Sequence, residues 1–291
     1  MMAMRAAYTS HALIGRLLLL WCGLASIVAS AAVESVGPAG TLSVAQIVEK
    51  NVAARGGLEA WRRIETMAWT GHIEGSSSPA RSLPFVLELK RPNKTRFEIM
   101  ALNQVAVRVY DGTSGWKLRP TQTGKPDRQP YTPEELAFAH DGQVIDGLLI
   151  DHQAKGIAVA LDGVDEIEGR KAYRLGVKLR SGVSHHVWID AETFLDIKYD
   201  RVSRNALGRL ATVWVSYRDY RTIDGLQIPS VIELGAANGA ATERMVIDKI
   251  SLNPPLSDRV FAKPSMPGSH NGILVDTRAP QVSRQTIRPA P

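Results

Sequence analysis

The strongest constraint on this chain is a recurrence: short stretches of alternating apolar and polar residues, each closed by an explicit turn. Successive side chains of a strand point to opposite faces, so a period of two sorts residues onto a wet side and an apolar side. Phe85, Leu87 and Leu89 fall on one side, Val86, Glu88 and Lys90 on the other. Phe97 and Ile99 oppose Arg96 and Glu98, and Tyr173, Leu175, Val177 and Leu179 oppose Arg174, Lys178 and Arg180. Twelve stretches qualify: residues 66–75, 82–91, 93–101, 103–111, 114–119, 157–168, 170–180, 183–190, 193–203, 208–221, 225–237 and 241–252. About eleven are expected to form, since short strands and element ends are the weakest reading. Pro92-Asn93, Asp111-Gly112, Glu168-Gly169, Ser181-Gly182, Asp190-Ala191-Glu192, Asp224-Gly225 and Asn238-Gly239 supply the turns. Connections that short make neighbouring strands antiparallel.

Helical material is scant. Thr41 or Ser43 can cap a helix running to about Ile64, with Val44, Ile47, Val48, Val52, Leu58, Trp61 and Ile64 on one face and a break at Gly56-Gly57. Between the two strand series, Thr132-Pro133-Glu134-Glu135 reads as an N-cap, a first-turn proline and first-turn acids. Leu136, Phe138, Ile145, Leu148, Leu149 and Ile150 make residues 132–153 apolar enough to lie on the greasy side of a sheet. Two such units cannot fill the volume over so many strands. The sheet therefore either closes into a self-filled barrel or curves into a half-barrel that the helices lid. The fold expected is mainly β: a single curved antiparallel sheet, a half-barrel with a few helices lidding its apolar concave face.

The N-terminus sets a compartment. Arg5 and Arg16 precede an apolar run at residues 17–28 that ends at Ala29-Ser30-Ala31, the pattern of a cleaved secretory signal. The run is shorter than the ~20 residues of a membrane-spanning helix. The expected organisation is a signal peptide at 1–31 cleaved near Ala31, a linker at 32–41, one β domain at 42–263, and a disordered proline-spaced tail at 264–291, in the periplasm. The single cysteine, Cys22, lies inside that signal, which excludes a thiol enzyme, a disulfide scaffold or a c-type haem protein. Beyond residue 31 the chain carries 33 Lys and Arg against 29 Asp and Glu, without a basic cluster, so no nucleic-acid partner is expected.

The candidate chemistry is thin. His185-His186 would point to opposite faces of a strand and so cannot share one ion; no metal and no cofactor is expected. Asp141, Asp146 and Asp151 recur every five residues, a spacing that scatters them around a helix, and are read as keeping that segment wet. Gly75-Ser-Ser-Ser-Pro and Gly112-Thr-Ser-Gly are turns, without the context of a nucleophile elbow or a phosphate cradle. Asp165, Glu166 and Glu168 flank a hairpin. Trp188 and Trp214 sit on the parity opposite Val187/Ile189 and Val213/Val215; they are either a docking surface on the convex face or side chains packed under a neighbouring segment.

Six segments carry a resemblance. Val52-Ala-Ala-Arg-Gly-Gly-Leu-Glu-Ala-Trp-Arg-Arg-Ile-Glu-Thr-Met is similar to the entry helix of the periplasmic outer-membrane lipoprotein carrier (LolA-like) superfamily, in its lipoprotein-sorting branch. Tyr110-Asp-Gly-Thr-Ser-Gly-Trp resembles a strand–turn–strand step of that family, and Ile145-Asp-Gly-Leu-Leu-Ile-Asp-His-Gln-Ala-Lys-Gly its lid. Trp188-Ile-Asp-Ala-Glu-Thr-Phe-Leu-Asp-Ile-Lys, Tyr217-Arg-Asp-Tyr-Arg-Thr-Ile-Asp-Gly-Leu-Gln-Ile-Pro and Asn253-Pro-Pro-Leu-Ser-Asp-Arg-Val-Phe resemble two later hairpins and a closing element. The resemblance extends over about residues 42–263. The resemblance implies an eleven-stranded half-barrel with a helical lid and a hydrophobic cavity for acyl chains. The function expected is a non-enzymatic periplasmic carrier of lipid or lipoprotein, exchanging cargo with an inner-membrane donor or outer-membrane acceptor; the absence of a long unpatterned apolar edge points to a monomer. The alternatives are a lipid-responsive sensor or envelope assembly module docking a membrane partner and, third, an enzyme on the same scaffold. Strand parity nominates Trp69, Phe85, Leu87, Phe97, Ile99, Val107, Tyr173, Leu175, Val187, Ile197, Val213 and Val215 as the cavity lining, and Leu136, Phe138, Ile145, Leu148 and Leu149 as the lid.

Overall fold

A computed structural model describes residues 42–75, 78–101, 104–142, 145–204, 210–236 and 241–265. The signal, the linker, the tail beyond residue 265, and the turns around Ser76 and Asn238-Gly239 lie outside the described residues. Two helices, α1 (Val44–Ala54) and α2 (Leu58–Arg62), open the described chain. Then come β1 (Thr66–Gly75), β2 (Ser78–Lys90), β3 (Lys94–Ala101), β4 (Gln104–Tyr110), β5 (Gly115–Arg119), β6 (Asp127–Pro130) and α3 (Pro133–Asp141). A second series follows: β7 (Ala158–Ile167), β8 (Arg170–Lys178), β9 (Ser184–Asp190), β10 (Asp196–Arg204), β11 (Leu210–Ile223), β12 (Leu226–Ala236) and β13 (Ala241–Leu252). A 3₁₀ turn spans Asp258–Phe261.

The thirteen strands among the described residues form one antiparallel sheet in the order β6-β5-β4-β3-β2-β1-β13-β12-β11-β10-β9-β8-β7. The sheet is open, with β6 and β7 as its edges. Each series is a meander, and the two join where β1 pairs with β13. All twelve stretches read from the sequence are strands, so the expected count of eleven was too low. The thirteenth, β6, has the sequence DRQP, exposed and without apolar alternation, so period two gives no sign of it. It forms because Gly115 to Arg119 already presents an edge for it.

Local chemistry explains most boundaries. Ser43 and Gln46 make a reciprocal capping box at the start of α1, each side chain accepting from the other's backbone N–H. Thr132 and Glu135 do the same for α3. Gly56 ends the first helix with φ 108°, and a Cβ there would lie 2.5 Å from the Gly225 carbonyl oxygen. Only glycine fits that approach. Asp111 and Asp190 close their turns by accepting two backbone N–H groups each.

The topology decides what is covered. The chain leaves the sheet at edge strand β6 and re-enters at the opposite edge, β7, so residues 131–157 must cross one face. That face is the apolar one. Ile47 and Val48 of α1 pack there with Leu149, Ile157, Leu175, Val177, Val187 and Ile189. Trp61 of α2 packs with Met67, Leu89, Ile145, Ile150, Leu226 and Ile228. A third cluster lies on the other face, where Val107, Val109 and Leu118 meet Leu256, Val260 and Phe261. Sheet cations hold that C-terminal segment down: Lys90 and Lys94 bridge to Asp258, and Arg96 and Arg128 donate to the carbonyls of Val260 and Pro264.

Val107 is thereby moved. Across β3 and β4 it faces Glu98, while Phe97 faces Arg108. It belongs to the convex cluster, not to the concave lining. The residues that follow α3 are not helical either: residues 145–156 run through turns.

Candidate functional site: a lidded apolar cavity

Between the sheet and the segment that crosses it lies a cavity of about 440 Å³, within the roughly 300–1,000 Å³ common for small-molecule sites. Five strands build its floor: Trp69 from β1, Val187 and His185 from β9, Tyr199 and Arg201 from β10, Tyr217 and Tyr220 from β11, and Ile228 from β12. Ile145, Leu148 and Leu149 form the roof. Phe138 of α3 and Val183 line it while remaining 53% and 44% exposed, which marks the mouth.

Strand alternation would send Tyr217 and Tyr220 to opposite faces. Both reach the cavity because Asp219, between them, has a left-handed backbone with φ 52° that breaks the alternation. The rings of Tyr199 and Tyr217 stack with centroids 5.9 Å apart. Burial raises the pKa of all three phenols, so they remain neutral hydroxyls at physiological pH.

One wall is polar. Arg55, at the end of α1, is almost wholly buried, with Nη1 3.3 Å from Asp196 and 2.9 Å from the Asp146 carbonyl oxygen. Its guanidinium lies over the Trp61 ring, 4.7 Å from the centroid. Burial raises the pKa of Asp196, with Arg55 opposing. Among the described residues, three buried side-chain atoms have no hydrogen-bond partner: Asn51 Oδ1, Arg55 Nε and Trp69 Nε1.

The roof is tied down by Asp146. Its carboxylate accepts from Arg91 at 2.8 Å and Lys155 at 2.6 Å, and its side chain is 4% exposed. This corrects the reading of Asp146 as a solubilising residue; it is a buried hub. Asp151 does stay nearer the surface, paired with Arg62 at 2.9 Å. In contrast, α3 buries no residue. Polar contacts hold it: Glu135 accepts from Lys117 at 2.7 Å and Arg108 at 3.0 Å, and the His140 carbonyl accepts from Asn93 at 3.1 Å.

Of the nominated residues, Trp69, Val187, Phe138, Ile145, Leu148 and Leu149 are brought together around this cavity. The others lie elsewhere. Phe85 and Phe97 contact each other at 5.7 Å, with Leu87 and Ile99 beside them in register, on the concave face but off the cavity. Leu175 is fully buried under α1, and Tyr173 stacks on Phe194. Ile197 sits in the irregularity between Asp196 and Lys198. Val213 and Val215 face Arg201 and Tyr199 across the strands without lining the cavity. Leu136 is on α3 but not at the wall.

Sequence reading missed Arg55, Asp196, Tyr199, Tyr217 and Tyr220. Tyr217 shares the parity of Val213 and Val215, so a signal for it existed. Arg55 and Tyr220 depend on a helix end and a broken alternation, which leave none. His185 lines the cavity and burial lowers its pKa, with the Asp200 carbonyl 3.0 Å from Nδ1 opposing. His186 turns to the other face and pairs with Asp200 at 2.7 Å. Trp188 and Trp214 are partly covered there, with Lys198 5.1 and 5.9 Å from their ring centroids and the Trp188 indole donating to Asp165. Among the described residues, no three His, Cys, Asp or Glu gather to hold a metal ion, and no helix is long and apolar enough to cross a membrane.

No family model matches the sequence, and no curated protein matches it. Solved structures do. A LolA superfamily protein from Nitrosomonas europaea is 17% identical, with 77% of this chain and 99% of that chain covered and a TM-score of 0.47. A DUF1329 family protein from Desulfovibrio piger is 12% identical over 76% and 98%, TM-score 0.49. A putative outer membrane lipoprotein-sorting protein domain from Vibrio parahaemolyticus is 11% identical over 75% and 95%, TM-score 0.47. At these identities the likeness concerns the course of the chain and says nothing of the cavity.

Proposed function

We propose that this protein is a non-enzymatic binding or carrier protein for the acyl chains of lipids or acylated proteins, acting in the periplasm. The observation that carries the reading is the pairing of an apolar cavity with a lid, α3, that buries no side chain of its own. An acyl chain is recognised by burial alone, at about 0.8 kcal/mol per methylene, and needs no directional chemistry along its length. Val187, Leu148, Leu149 and Ile228 supply that surface. A lid fixed by ion pairs and hydrogen bonds can exchange them for water without exposing a core of its own. Export rests on the Arg5, Arg16 and Ala29-Ser30-Ala31 pattern of the N-terminus.

The test is native mass spectrometry of the protein purified from its own envelope, followed by extraction and mass analysis of bound lipid. A co-purifying acylated species is expected, and its mass separates acylated protein from free lipid. A bare protein mass that stays unchanged on incubation with phospholipid or fatty acyl esters refutes the reading.

A further inference from the structure

A charge taken partly out of water is normally met by a partner. Arg201 is the exception at this cavity. It lies half-buried in the wall on β10, and among the described residues no carboxylate pairs with it. What its guanidinium meets is a ring, with its carbon 5.2 Å from the Phe138 centroid. Phe138 lines the mouth, so the unpaired charge stands there too. Two neutral groups flank it. Tyr199, two residues back on the same face of β10, is kept protonated by burial, with Arg201 opposing. His185 on β9 also lines the cavity; burial keeps it neutral, and its Nδ1 is taken by the Asp200 carbonyl.

We infer that the mouth selects amphiphiles with an anionic head: the tail fills the cavity, and a carboxylate or phosphate oxygen meets the Arg201 guanidinium. The inference rests on the acyl-chain reading and narrows it to ionised lipids, since the ester or amide of an acylated protein brings no charge. The other charges of the lining are already matched. Arg55 has Asp196 at 3.3 Å. Glu134 and Asp141 of α3 have partners of their own, and Asp141 accepts from the Ser181 hydroxyl at 2.5 Å. Only contact distinguishes Arg201 from these: a guanidinium offers two parallel N–H bonds to one oxyanion. Strand geometry places the head there. Asp196 is buried at the inner end of β10 and Arg201 lies at the mouth, so the strand follows the cavity for roughly 16 Å, at ~3.3 Å per residue. A tail laid along it leaves its head beside Arg201, where water still reaches.

The test compares four ligands of similar length on the full chain: dodecanoate, dodecyl phosphate, dodecanol and dodecyltrimethylammonium. Each is read below its micelle concentration, at pH 7, by displacement of N-phenylnaphthylamine, a neutral apolar fluorophore. The two anions are expected to bind about tenfold more tightly than dodecanol, the equivalent of ~1.4 kcal/mol, and the ammonium more weakly than either anion. Whichever anion binds more tightly names the head as carboxylate or phosphate. In Arg201→Gln the preference of anion over alcohol is lost. As a readout independent of substitution, the Arg201 Nε–H resonance should move with either anion and not with dodecanol. Anions no tighter than the alcohol, or weaker than the ammonium, overturn the anionic head and leave the acyl-chain reading standing. A preference that survives in Arg201→Gln, or an unmoved resonance, overturns Arg201 as the receptor. A fluorophore that does not bind, or that none of the ligands displaces, overturns both readings.

Discussion

Asp146 is the residue on which the roof depends, and replacing it by Asn tests that directly. The substitution keeps the shape and removes the charge. It leaves Lys155, whose side chain is 13% exposed, with no carboxylate. Burial pulls the Lys155 ammonium below its ordinary range even with Asp146 beside it, so the acid is what makes the buried charge tolerable. Removing one partner of a buried pair typically costs about 3–5 kcal/mol. Arg91 is more exposed, at 24%, and still donates to the carbonyls of Ile64 and Trp61, while Lys155 keeps the Gly147 carbonyl. These retained bonds place the expected loss at the lower end, about 3 kcal/mol. For a domain of this size, that is about 6–12 °C in melting temperature. Thermal unfolding followed by circular dichroism at pH 7 measures it. In a double-mutant cycle, adding Lys155→Met to Asp146→Asn should restore part of the loss, since the unpaired charge is then gone. A loss under about 1 kcal/mol, or strict additivity of the two substitutions, refutes the hub.

Three other outcomes are expected. Burial opposes ionisation of Glu135, but Lys117, the Thr132 amide and Arg108 outweigh it and hold its pKa at about 2 instead of 4.5. A depressed carboxylate stabilises above its ordinary pKa and loses that contribution as pH falls through its folded value; the hydrogen-exchange protection of α3, taken relative to the intrinsic amide rate at each pH, should therefore fall between pH 4.5 and 2 and show no such step in Glu135→Gln. Gly71→Ala places a Cβ 2.0 Å from the Val246 carbonyl oxygen at the β1–β13 joint, so a loss of about 3 kcal/mol is expected in a urea midpoint, and a loss below about 1 would show that the joint yields. Phe138→Ser removes a ring that is 53% exposed, so stability should stay within about 0.5 kcal/mol while N-phenylnaphthylamine affinity falls several-fold; unchanged affinity would show that Phe138 is not at the mouth.

Twelve of the thirteen described strands and their hairpin pairings were legible because each repeats one signal over many residues and each turn carries its own chemistry; the pairing of β1 with β13, which joins the two series, was not. The concave face was legible too, wherever the period of two ran unbroken: Trp69 and Val187 follow it to the cavity. It failed where register, not parity within a strand, decides the face. Val107 alternates properly with Arg108, and nothing in β4 alone says which of the two sides meets Phe97. It failed again where the backbone breaks step, at Asp219 and at the irregularity after Asp196. β6 was invisible because its four residues carry no apolar alternation. Leu175 shows a different limit: parity puts a residue on the apolar face, but whether a helix or a void lies above it depends on where α1 lands.

That landing point separates the two coverings of the concave face. α1 packs on β8 and β9 and α2 on β1, β2 and β12, and both commit large side chains to the sheet: Ile47 is 0% and Trp61 1% exposed. Lifting either would expose apolar area, at roughly 25 cal/mol per Å². The crossing from β6 to β7 is forced by topology, not by hydrophobicity, and its first element, α3, buries no side chain. Its contacts are polar: the charged pairs of Glu135 with Lys117 and Arg108 are worth about 1.5–3 kcal/mol each and the bond from Asn93 to the His140 carbonyl about 0.5–1.5 net. The segment after it is different, because Asp146, Leu149 and Ile150 anchor it in the core. On the binding function proposed above, opening belongs to α3, and the route into the cavity runs past Phe138, which lines it while 53% exposed, rather than under the N-terminal helices.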